Sequence, residues 1–104
     1  IATLTPEEAI RRGDAAARLL ADPIIQQAMT GIKAEIIKTW SATPARDSEG
    51  REWVWRHYKV AEQFENALRG YIESGKYEFQ LRAKKERESM TERVSNLFGG
   101  RKAV

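Results

Sequence analysis

Five large apolar side chains, Ile25, Met29, Ile32, Ile36 and Trp40, recur at steps of 4, 3, 4 and 4 residues. That spacing lines one face of an α-helix and does not match the alternation of a strand. Ile24 and Ile37 widen the stripe. A second series, Val54, Tyr58, Ala61, Phe64 or Glu65, Leu68 and Tyr71 with Ile72, repeats the pattern. Residues 41–48 separate the two; Pro44 stops the first helix, and Asp47 or Ser48 caps the second. A loop this short predicts that helices over about 23–40 and 49–74 lie antiparallel as a hairpin.

Flanking segments extend the pattern. Thr5-Pro6-Glu7-Glu8 places a capping hydroxyl, a proline in the first turn and a glutamate three residues after the cap. The helix it starts should end near Leu20, and its apolar content is thin (Ile10, Leu19, Leu20), so it reads as short and peripheral. Asp22-Pro23 caps the next helix and breaks the preceding one. Gly31 would allow a neighbouring backbone to come close. Gly75 reads as the left-handed residue that ends the helix over 49–74. A fourth helix is predicted from about Tyr77 to Phe98. Apolar residues sit at its two ends (Tyr77 and Leu81; Met90, Val94, Leu97 and Phe98), and the polar run 82–89 lies between them. That middle cannot enter an ordinary core; it projects, lacks order, or crosses solvent to another subunit.

The expected fold class is therefore all-α: an antiparallel helical hairpin of about 23–40 and 49–74, flanked by a short N-terminal helix and a charged C-terminal helix. Residues 1–98 form a single domain, and 99–104 a flexible basic tail. With 104 residues the core is modest, and burial against a partner would help. The chain has no cysteine, which excludes disulfides, thiolate metal sites and cysteine nucleophiles and suggests a reducing, cytoplasmic setting. No apolar run approaches a membrane span, and residues 1–5 lack the features of a signal peptide. Ile1 stands where an initiator methionine would, so the reading frame is expected to begin upstream.

Chemistry-bearing constellations are weak. His57, the only histidine, lies beside the apolar stripe and reads as a packing residue. Glu49/Glu52, Glu62/Glu65 and Glu86/Glu88 read as solvated helix faces, with Glu52–Arg56 and Glu62–Arg69 as charge partners. The glycines are dispersed, so no phosphate-binding loop exists. No catalytic, cofactor or metal site is expected, and the chain reads as a non-enzyme.

Two groups of residues bear on binding. Trp40, Trp53 and Trp55 bracket the 41–48 loop and should cluster there. Trp53 and Trp55 point about 200° apart on a helix, so they cannot share one core. At least one is left outward, which makes Trp40, Trp53, Trp55 and Tyr58 the candidate protein interface. Residues 1–75 carry 10 Lys/Arg against 11 Asp/Glu, and residues 76–104 carry 8 against 4. The basic set Arg82, Lys84, Lys85, Arg87, Arg93, Arg101 and Lys102 could meet nucleic acid or an acidic protein surface, or only solvent. Homo-oligomerisation is expected as well, because two long stripes on a two-helix core do not cover each other.

The run from Asp22-Pro23 through Trp40, Ala42-Thr43-Pro44-Ala45-Arg46-Asp47 and Arg51-Glu52-Trp53-Val54-Trp55 to Ser74-Gly75-Lys76 resembles small helical proteins of tailed phages and prophages. The resemblance covers roughly residues 20–80. It implies a multimeric, non-enzymatic role in virion assembly or DNA packaging, as a small terminase-like or scaffolding-like protein, located in the host cytoplasm or the virion. Small terminase subunits usually carry a helix-turn-helix, and none is evident here.

Overall fold

A computed structural model of the chain describes residues 3–98. Among them are three helices and no strand: α1 (Pro6–Ala21), α2 (Pro23–Ala42) and α3 (Ser48–Phe98). The predicted start signals act as read. Thr5 Oγ1 accepts from the Glu8 amide at 3.2 Å, and the Thr5 amide donates to Glu8 Oε1 at 2.9 Å. That reciprocal bond to the Thr5 backbone holds the Glu8 carboxyl below its ordinary pKa. Asp22 Oδ1 accepts from the Ile24 amide, and Asp47 Oδ1 from the Gly50 amide, so each helix opens on a side-chain cap.

The division of the chain differs from the expected one. The helix over 49–74 and the helix over 77–98 are a single 51-residue element. Gly75 does not end it; no glycine among the described residues has a positive φ. Instead Gly75 is buried where α1 crosses α3. A Cβ there would stand 3.1 Å from the Ala9 carbonyl oxygen and 3.2 Å from Gly13 Cα. Nor is α1 peripheral. It buries Ala9, Gly13 and Ala16 against α3 at helical spacing, a contact made by small residues whose lack of bulk lets backbones approach. Gly31, expected to serve that purpose, has nothing near it.

The first two helices lie in succession back along α3. Trp40 meets Arg51, Lys33 pairs with Glu65, and Gly13 meets Gly75, so the partner on α3 moves later as the chain position moves earlier. A hairpin with two small flanking helices is thus too simple a description. One long helix carries both shorter ones, and its last fifteen residues, 84–98, are exposed throughout.

Such an arrangement is two helices thick and encloses little. Among the described residues Ala9, Ala16, Val54 and Leu68 are the buried apolar ones, and α2 buries none of its own. The radius of gyration is 23.7 Å, with extents of 84 × 28 × 23 Å. A compact chain of this length has a radius of about 13 Å. The accessible surface, 8550 Å², exceeds by about 2,600 Å² what a compact monomer of this mass exposes.

Candidate functional site

The end of the molecule near the 43–47 turn is fixed by Arg51. Its Nη1 donates to the Thr43 carbonyl at 3.4 Å, and its guanidinium stands 4.3 Å from the Trp40 ring centre. Val54, one turn on, is buried. It does the packing that an aromatic cluster was expected to do. Trp53 and Trp55, on either side of Val54, are both exposed, at 59% and 56%. The Trp53 ring lies against His57, 3.8 Å between ring centres with the planes tilted by 37°, and His57 Nδ1 lies 3.0 Å from the Trp53 carbonyl oxygen. Lys59 Nζ lies 5.6 Å over the Trp55 ring.

The four aromatic candidates therefore divide. Trp40, Trp55 and the half-buried Tyr58 line one small hollow of about 150 Å³. Trp53 lines another with Thr39 and His57. Opposite placement follows from the two-residue spacing, and leaving both rings outward follows from Val54 taking the inward position.

A larger apolar groove runs between α2 and α3. Its volume is about 590 Å³, and Ile25, Met29, Ile32, Ile36, Val60 and Phe64 line it. Ile32, Val60 and Phe64 are each more than half exposed. The ion pair of Lys33 with Glu65 borders this groove, and Arg69 Nη2 approaches the same carboxylate at 3.6 Å. The hydrogen bond from Lys33 to Glu65 raises the lysine pKa above its ordinary value. The stripe of α2 was legible in the sequence. Val60 was not, because it lies outside the stripe of α3 that packs inward.

No family model, curated protein or solved structure matches the chain.

The basic candidates Arg82, Lys84, Lys85, Arg87 and Arg93 are all exposed; Arg82 borders a hollow beside α1, and the other four lie on the part of α3 that runs past the other helices. At about 100° per residue they point round the helix, Arg82 and Arg93 to one side and Lys84 to the other. Glu86, Glu88 and Glu92 lie among them. Arg101 and Lys102 lie outside the described residues, as does the 99–104 tail. Met90, Val94, Leu97 and Phe98, expected as apolar anchors, are 48–78% exposed. Among the described residues no group of three His, Cys, Asp or Glu side chains could hold a metal ion. None of their helices is long and apolar enough to cross a membrane. Expected Glu52–Arg56 pairing is present at 2.8 Å, whereas Glu62 pairs with Lys59 and Arg69 with Glu65.

Proposed function

We propose that this chain is a non-enzymatic assembly component that associates with copies of itself. One observation carries the reading: a helical body in which, among the described residues, no large side chain is fully buried. An isolated chain would leave the apolar rows of α2 and α3 in water. At about 25 cal/mol per Å² of apolar surface removed from water, association is the effective way to recover that stabilisation. A standard interface takes about 800 Å² per partner, well within the surplus noted above. The outward indoles at 53 and 55, with Trp40 and Tyr58, supply the aromatic anchors that interfaces favour. Pairing of α2 with the first half of α3, as a long hairpin, would present the groove as the seam.

From the sequence resemblance to small tailed-phage proteins we propose that this assembly role belongs to virion construction or DNA packaging, of the scaffolding-like or small terminase-like kind. The protein would then act in the host cytoplasm or the virion. Sedimentation velocity at micromolar concentration is the test: the reading requires a mass at least twice 11.9 kDa, and a monomer would end it.

Exposed cations on the projecting part of α3 support a second reading, a nucleic-acid-binding module using residues 82–93. Binding should then fall steeply between 50 and 200 mM salt, and charge reversal at Lys84, Lys85 and Arg87 should remove it. A chain that binds no duplex or single strand at low salt refutes this reading.

A further inference from the structure

We propose that the projecting end of α3 is a dimerisation arm, which a second copy of this chain covers by lying antiparallel to it. The inference rests on the self-association reading and adds the arm, apart from the groove and the indoles, as a contact between copies, with the partner's orientation. Ala83, Arg87, Met90, Val94 and Leu97 follow one another at steps of 4, 3, 4 and 3, the seam spacing of paired helices. The row continues the side of α3 that carries Ile72 and Phe79 beside α1. It runs on past the start of α1, and Phe79 beside α1 is itself 57% exposed, so a helix of a second copy would cover what α1 leaves open. Over residues 84–98 every side chain is exposed, a length of about 22 Å.

Charge decides the orientation. Arg87 lies within the seam, so a parallel partner in register would set it against its own copy. An antiparallel partner sets it against Met90 of the second copy, where the arginine stem packs and the guanidinium reaches solvent. Glu86 and Arg93, seven residues apart, flank the same side of the seam. In the antiparallel register that pairs position 87 with position 90, each Glu86 faces Arg93 of the second copy, and the two-fold makes this contact twice. Lys84, on the other flank, meets no cation in that register.

Sedimentation equilibrium on the full chain tests this, with helix content followed by circular dichroism. Val94→Glu should lower the mass of the native oligomer and keep the helix. At low salt Arg93→Glu should weaken association about tenfold, by turning two attractive pairs repulsive. Glu86→Arg combined with Arg93→Glu should bring it back to within about twofold of the native chain. Within one helix positions 86 and 93 are about 10 Å apart, so recovery reports a contact between copies. If Val94→Glu leaves the mass of the native oligomer unchanged, the arm is not the contact and self-association uses another face. If the double swap stays as weak as the single variant, the antiparallel pairing is wrong. A native chain that is itself monomeric overturns this inference and the self-association reading together.

Discussion

Gly13 and Gly75 bring α1 and α3 into backbone contact: a Cβ on Gly13 would lie 3.2 Å from Gly75 Cα and 2.8 Å from the Tyr71 carbonyl oxygen. The crossing anchors the α1 half of the molecule, and nearby the Arg12 guanidinium lies 4.1 Å from the Tyr71 ring centre.

Substituting the glycines separates contact from propensity. Alanine is worth up to about 1 kcal/mol over glycine in a helix. Gly31→Ala and Gly70→Ala, with nothing within 4 Å, should raise the thermal midpoint. Gly13→Ala should lower it, because the added methyl meets backbone atoms that cannot move aside, at an overpacking cost of about 1–3 kcal/mol. Parallel thermal melts of the three variants check this.

Inward and outward residues of the 53–55 trio should also differ. Val54→Ala should cost about 2 kcal/mol in urea unfolding. Trp53→Ala and Trp55→Ala, removing half-exposed rings, should change monomer stability less and reduce self-association more. Urea titration and sedimentation on the same samples distinguish the two effects.

Reading these positions from sequence succeeds where one local signal has one meaning. The Thr5, Asp22 and Asp47 caps each form, and Val54, Leu68 and the half-buried Tyr58, Ala61 and Ile72 face inward as the stripe predicts. It fails where a residue has two uses. Gly75 lacks a Cβ, which suits both a helix end and a close crossing; the Lys76-Tyr77-Glu78-Phe79 run that follows carries no breaker. It also undervalues α1, whose packing rests on Ala9, Gly13 and Ala16, residues that counting large apolar side chains ignores. The candidate surface was half legible: an outward tryptophan followed from spacing, but the exposure of both followed from Val54 packing between them.

The Lys33–Glu65 pair predicts a pH dependence. The lysine pKa is raised in the folded chain by its bond to Glu65. Its stabilisation is therefore fully present below the ordinary lysine value and is lost as pH rises through the raised one. Thermal midpoints of the native chain should fall across that alkaline window, and the corresponding step should be absent in Lys33→Met. An equal fall in both would show that the pair does not contribute.

Association and folding should be coupled, since the helices bury so little on their own. When the folded state is an oligomer, its thermal midpoint depends on protein concentration. The decisive measurement is the midpoint by circular dichroism from 1 to 100 µM. Self-assembly predicts a steady rise with concentration. A midpoint that is independent of concentration, in a sample whose mass stays at 11.9 kDa, would contradict it.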